Sequence, residues 1–455
     1  MATTAGIAAA VVPGKALGFI ALGSSLHYVL ARLRSYEKAF TSISTIYDPI
    51  SPLSSPVVIL LENNGIRLRF DGADQRLRLI EVLDFQKCGL TYNNREIVKP
   101  GAGGGPTFKG IYNKSFGPTY PGEYVESQGL YVLSYPGVAF SFPIDRIAWK
   151  EDVDFVSLLS STNAQPATSM AIFAGPSWAD VRDDLFTRPV QNPRTPSING
   201  SNARLSSAND EVEFIRIHDG NAIEIIRRHN PPFWITLHST TPQDLVSELG
   251  PPDVIYRKSD HRLSIHRTRH DDIDSTEEDT PSDDDDSDLS DLSSTSNGDC
   301  FYNYFVHGID IFISSVRSSS NPVATKVIIH GNVPGSYEFQ RYRRCRWAVE
   351  LSPLSPPKST MDLHVDSEQS FDDVLVQLHG RFGGAQKPMP LNRGSDSPSS
   401  SCELLGGWED GDTATGAKVP PGTNETTYGN TELYGFPGFI FEVLKNKSIS
   451  CLTVF

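Results

Sequence analysis

Four arginines crowd into the phrase FQRYRRCRW: Arg341, Arg343, Arg344 and Arg346, interleaved with Tyr342, Cys345 and Trp347. A guanidinium fork binds phosphate or carboxylate through paired hydrogen bonds, and its flat face stacks on aromatic rings. Arg341, Arg343, Arg344, Arg346 and Trp347 are therefore the candidate contact for a phosphate group or a partner interface. The competing reading is a solvated strand edge whose charge prevents pairing with another chain. Cys345, with no histidine close in sequence, reads as a core or half-buried thiol and not as a nucleophile.

Other residues of chemical interest point nowhere in particular. His261, His266 and His270 are spaced among Arg262, Arg267 and Arg269, which disfavours a divalent cation, so a basic loop is expected. GAGGGP at 101–106 is not followed by Lys-Ser/Thr and does not open a helix, so it reads as a flexible loop. The DDDD run lacks the turn glycine and final Glu of a calcium loop. No G-x-S-x-G or HExxH occurs, and Cys88, Cys300, Cys345, Cys402 and Cys451 are scattered without a CxxC. That usage suits reduced thiols in a cytosolic setting. These readings assign no catalytic residue, no metal ligand and no cofactor-binding residue.

The net charge of −15 is concentrated in one place. Residues 271–300 hold 13 acidic residues and no Lys or Arg; removing those charges leaves −2 on the rest. A near-neutral remainder has no field to steer nucleic acid, so no nucleic-acid partner is expected. The N-terminus lacks the basic region of a signal peptide, and no apolar run approaches the roughly 18 to 20 residues that span a bilayer.

The elements that must carry these residues repeat. VLSYPGVAFSF at 132–142 is echoed by LYGFPGFIFEV at 433–443, and NNGIRLRF at 63–70 by VHGIDIFI at 306–313. Each places apolar residues at every second position behind a glycine, as a half-buried strand leaving a turn requires. Residues 57–61, 65–70 and 76–82 read as an antiparallel meander; 301–306, 308–314 and 325–330 read as another. Short helices are expected at SSLHYVLARL, at TTPQDLVSELGPP (Thr241 capping, Pro242 in the first turn) and at EQSFDDVLVQLHG, with TFKGIYNKSFGPTYPG the weakest of the set. An Asp219-Gly220-Asn221 turn joins two strands between the halves.

The fold expected on these grounds is α+β: pseudo-duplicated helix-plus-antiparallel-sheet units with disordered polar insertions. The first half spans 1–145 with two units, and a connecting sheet region spans 146–232 with a polar loop at 190–210. The second half has one unit at 233–351, with the acidic insert 271–300, and one at 352–455, with a polar stretch at about 385–430. The insertions hold too few apolar residues to offset the entropy of ordering them.

Several phrases resemble the phagosome assembly factor family: VVPGKALGFIALGSSLHYVL, SPLSSPVVILLENNGIRLRFDGADQRLRLIEV, SFGPTYPGEY, ELGPPDVIYRKSDHRLSIH, FYNYFVHGIDIFI, HGNVPGSYEFQRYRRCRW and IFEVLKNKSISCLTVF. They recur in order from one end of the chain to the other. The resemblance implies a non-enzymatic adaptor in macroautophagy, acting at the phagophore assembly site. It further implies a complex with a WD40-type β-propeller protein that binds phosphoinositide, hence indirect membrane association of a cytoplasmic chain. It brings no catalytic motif, cofactor or residue-level binding site. The alternative is a general membrane-trafficking scaffold at Golgi or endosomes.

Overall fold

Alternation of buried and half-exposed residues builds most of this protein from strands. The computed structural model describes residues 7–99, 101, 104–144, 146, 149, 154–161, 164–188, 190, 210–257, 299–315, 321–352, 362–384, 387–392 and 430–455. Of the expected insertions, 271–300 lies outside these residues except for Asp299 and Cys300, and 190–210 except for its two ends. Of the stretch 385–430, only 387–392 and residue 430 are described.

In the first half, β1 (Ile7–Val12), β2 (Ala16–Leu17) and β3 (Ile20–Ala21) lead into helix α1 (Leu26–Arg34). A meander follows: β4 (Ser44–Ile46), β5 (Val57–Leu61), β6 (Ile66–Phe70) and β7 (Leu77–Val82). Then come β8 (Cys88–Tyr92), β9 (Arg95–Val98), a six-residue π-helix at Gly110–Ser115, and β10 (Glu123–Val125), β11 (Leu130–Tyr135), β12 (Val138–Pro143) and β13 (Ser169–Phe173). Short helices α2 (Phe155–Leu159) and α3 (Trp178–Val181) flank β13.

The second half repeats this order. Strands β14 (Val212–His218), β15 (Ala222–Arg227) and β16 (Phe233–Thr236) precede helix α4 (Pro242–Leu249). The second meander is β17 (Val254–Arg257), β18 (Cys300–Tyr304), β19 (Ile309–Ser315) and β20 (Pro322–His330). It leads to β21 (Trp347–Leu351), β22 (Leu363–Asp366), helix α5 (Phe371–Phe382), β23 (Met389–Asn392), β24 (Asn430–Phe436), β25 (Phe439–Val443) and β26 (Ile449–Val454).

Four sheets result. Two have five strands, in the orders β3-β2-β1-β8-β9 and β16-β15-β14-β21-β22. Two have eight, in the orders β10-β11-β12-β13-β7-β6-β5-β4 and β23-β24-β25-β26-β20-β19-β18-β17. Written this way the strand orders of the two halves correspond one for one. Pairing is antiparallel except where β1 meets β8 and β14 meets β21, again at equivalent places. Each half's core joins its five- and eight-stranded sheets: Val11, Leu17 and Leu90 cluster with Ile59 and Leu68, and Ile215 and Val349 with Ile311 and Phe441.

The fold is therefore mostly β, with four large sheets and few helices, and the α+β expectation of helix-plus-sheet units is corrected. The expected helical segments do form, but α1 has nine residues, α4 eight and α5 twelve, and although each buries an apolar stripe, strand residues make up most of the cores. Strands within 146–232 belong to the two halves' sheets: β13 lies in the first eight-stranded sheet, and β14 and β15 lie in the second five-stranded one.

Glycine is required at the hairpin turns. Gly137 and Gly438 follow prolines in two-residue loops, with φ of +81° and +83°, and the flanking pairs Tyr135–Val138 and Phe436–Phe439 are in register. Only glycine takes that left-handed backbone without cost.

Candidate functional site

The arginine phrase lies in the connection from β20 to β21, residues 331–346, where the second half meets the first. It docks on the β6–β7 turn, residues 71–76. That turn is organised by Asp71, whose carboxylate accepts from the backbone N–H of Asp74 and Arg76 and from Arg78 Nε at 2.6 Å. Across the seam, Gln75 Nε2 donates to the Asn332 carbonyl at 2.8 Å and Asn332 Nδ2 donates to Gln75 Oε1 at 2.6 Å. Both residues are buried, so the reciprocal pair satisfies groups that could not otherwise enter an interior. Further out, Arg34 donates to Gln340 Oε1 at 2.6 Å, and the rings of Tyr47 and Phe339 meet edge to face.

The five residues singled out by sequence divide three ways. Trp347 is 1% exposed in the second core, beside Phe441. Arg341 pairs with Glu338 at 3.4 Å and lies over the rings of Phe305 and Tyr342. Arg343, Arg344 and Arg346 come together to line one cavity of about 320 Å³. Arg343 and Arg344 are only 5% and 4% exposed, which rules out a solvated strand edge.

The cavity is composite. The first half contributes Asp74, Arg76 and Arg78 from the turn and the start of β7; the second contributes Glu213, Phe214 and Arg228 beside the three arginines. Sequence reading missed Arg76, Arg78 and Arg228. The available signal was a cation within or at the end of a buried apolar strand, in QRLRLIEV and EIIRRH.

Ion pairs hold much of this charge. Glu211 reaches Arg76 at 2.9 Å, Arg228 at 3.4 Å and Arg343 at 3.9 Å. Burial works to raise the Glu211 carboxyl, but Arg343, Arg76 and Arg228 outweigh it and hold the group down to about 2. Arg346 binds Asp74 at 2.7 Å and also pairs with Glu368. Arg344 instead donates to the carbonyls of Ala73 and Gly331. Burial lowers the Arg343 guanidinium to about 10, helped by neighbouring Arg76, and burial lowers Arg344 to about 10 as well. Nearby His27 is held down to about 4 by burial, then by Arg343 and Arg34. The field at the seam is cationic.

A second polar cluster lies on the outward face of the second eight-stranded sheet. His330 Nε2 is 2.9 Å from Asp310 Oδ2, and Cys451 Sγ is 3.1 Å from His330 Nδ1. The order matches nucleophile, base and orienting carboxylate. Access does not: all three are at most 7% exposed, and Tyr342 stacks on His330 at 3.7 Å while donating to Asp310 at 2.8 Å. Burial raises the Cys451 thiol against the opposing pull of His330, while Cys451 and then Asp310 raise the His330 imidazole against the effect of burial. Cys88, Cys300 and Cys345 are buried free thiols; Cys402 lies outside the described residues, as do His261, His266 and His270. Among the described residues no group of three or more His, Cys, Asp or Glu is placed to hold a metal ion, and no helix is long and apolar enough to cross a membrane.

Fold and site together define a duplicated β-sheet protein whose halves are joined through a buried polar seam lined by arginine. The chain belongs to the phagosome assembly factor 1 family, whose model matches residues 16–283 and 285–455. It is 25% identical over 453 residues to a PHAF1 protein of Arabidopsis thaliana, covering 97% of this chain and 92% of that one. A PHAF1 protein of Drosophila melanogaster is 24% identical, over 98% and 93% of the two chains. One from Caenorhabditis elegans is 27% identical over 81% of each. No solved structure matches this chain.

Proposed function

We propose that this chain is a non-enzymatic adaptor in macroautophagy. It acts at the phagophore assembly site in complex with a WD40-type β-propeller protein that binds phosphoinositide, and reaches membrane through that partner from the cytoplasm. The observation that carries the reading is the family match over nearly the whole chain, to a family described as a phagosome assembly factor. The covered Cys451–His330–Asp310 cluster also supports a non-catalytic role, because this nucleophile–base arrangement is closed to substrate beneath Tyr342. The near-neutral charge outside residues 271–300 supports a protein partner over nucleic acid.

The test is affinity purification of the full chain from starved cells, with imaging of the tagged protein against phagophore markers. The expected result is co-purification of a propeller protein, and puncta that disappear when that protein is depleted. Co-purification of trafficking coat subunits without a propeller would overturn the reading in favour of a Golgi or endosomal scaffold.

A further inference from the structure

We propose that the arginine-lined cavity between the two halves is a binding site for a small molecule bearing more than one phosphate. Its lining carries six guanidiniums (Arg76, Arg78, Arg228, Arg343, Arg344 and Arg346) against the two carboxylates of Asp74 and Glu213. Behind the lining, Asp71 pairs with Arg78, Glu211 with Arg76 and Glu368 with Arg346, so the cluster as a whole still holds six cations to five anions. The excess is localised. Among the described residues no carboxylate lies within ion-pair distance of Arg344, and the nearest to Arg343 is Glu211 at 3.9 Å.

Hydrogen bonding leaves the same residues short. Arg343 Nη1, Arg344 Nη2 and Arg346 Nε are shielded from solvent and have no acceptor among the described residues. A buried charged donor without an acceptor is costly, and guanidinium recognises phosphate oxygens with strong, charge-assisted hydrogen bonds. Burial of Arg343 and Arg344 strengthens any such contact, because little water competes. The cavity, about 320 Å³, falls at the small end of the roughly 300–1,000 Å³ of small-molecule sites and exceeds what a single oxyanion fills. A compact polyphosphorylated molecule fits both the volume and the number of donors.

The site is complete only when both halves are present, since Arg76 and Arg78 come from one and Arg228, Arg343, Arg344 and Arg346 from the other. A bound anion would therefore bridge the seam. Occupancy should raise the melting temperature of the whole chain, in proportion to the logarithm of ligand over Kd.

The same chemistry occurs on a free polyphosphate or a lipid headgroup, and the experiment separates them. Calorimetric titration of the full chain with inositol hexakisphosphate and with pyrophosphate tests the free form. Flotation with vesicles containing phosphatidylinositol bisphosphate, against vesicles of phosphatidylcholine alone, tests the lipid form. The expected result is saturable one-to-one binding, with a higher melting temperature, that falls about tenfold or more in Arg344→Gln. Arg344 is buried, so Arg228→Gln, nearer the rim at 16% side-chain exposure, provides the same test should Arg344→Gln fail to fold. Binding of the soluble probes assigns a free ligand. Binding to phosphoinositide vesicles alone assigns a lipid headgroup, and moves the membrane contact from the proposed partner to this chain. No binding in either arm, or binding unchanged in the folded variants, overturns the site.

Discussion

The connection from β7 to β8 takes five residues, 83–87, whereas its counterpart from β20 to β21 takes sixteen, 331–346. Both follow the same glycine-headed meander and close on that glycine. A Cβ on Gly65 would meet Asp84 at 2.7 Å, and one on Gly308 would meet the Arg343 carbonyl at 2.2 Å. In the first half that end of the outward sheet face stays near solvent: Arg67 pairs with Glu81, and Leu83 is 42% exposed, while Leu79 and Phe173 farther along the face are covered by Val181 and Leu185. In the second half the longer connection folds over that face. The positions equivalent to Arg67 and Leu83 are Asp310 and His330, both buried beneath Tyr342. One lengthened loop on a duplicated frame thus creates both the covered Asp310–His330–Cys451 cluster and the arginine seam.

The largest expected effect comes from the glycines that the halves share. Gly137→Val combines a φ of +81° with a Cβ only 2.1 Å from the backbone nitrogen of Gly14, which donates to the Gly137 carbonyl. Neither backbone can yield without losing that bond, so the loss should exceed roughly 4 kcal/mol and leave little folded protein. At Gly438, with φ of +83°, backbone strain alone predicts about 1–3 kcal/mol for the same change. Denaturant melts of the two variants give the comparison. Equal losses would show that the β1–β2 turn does not set the two hairpins apart.

The next effect isolates the seam. Glu211 is held at about 2 in the folded chain, against an ordinary value of 4.5. A depressed carboxyl stabilises the fold fully above pH 4.5, and that contribution disappears as pH falls toward 2. Its size is about 3 kcal/mol. Glu211→Gln should be less stable at pH 7, where Arg76, Arg228 and Arg343 lose their shared anion. It should also lose less than the parent between pH 4.5 and 2. Urea melts across that range check it; parallel pH profiles would mean the three arginines do not act through Glu211.

How far sequence reaches follows the same division. The strands β5, β6, β19, β12 and β25 were legible because alternation and a turn glycine are local signals, and the repeat of Gly65 and Gly137 at Gly308 and Gly438 marked the duplication. The balance of fold class was not, because a short helical stripe such as Leu26–Arg34 is as strong a local signal as a strand, while strand residues dominate the cores. The parallel pairs β1–β8 and β14–β21 were hidden by their long sequence separation. At the site, the arginine phrase stood out by composition, but its burial did not. Arg346 finds Asp74 across 272 positions and Arg344 finds Ala73 across 271, partners that no local pattern announces.

The smallest effects lie at helix starts, where the second half supplies its own contrast. Thr241 begins α4 with a reciprocal cap: its Oγ1 accepts from the Asp244 N–H at 3.3 Å, and Asp244 Oδ2 accepts from the Thr241 N–H at 3.0 Å. Pro242 occupies the first turn, where its missing N–H costs nothing. Ser370 stands at the same point of α5, yet its hydroxyl makes no capping bond. Residue type alone would rank the two as equal caps; geometry does not. Thr241→Ala should cost about 1 kcal/mol and Ser370→Ala only about a few tenths. Because α4 packs Leu245 and Leu249 into the second core, the loss at Thr241 should appear in the global melt and not as local fraying. If the two variants melt alike, the reciprocal bonds of Thr241 and Asp244 are exchanged for water at no net cost, and the helix is held by its buried leucines alone.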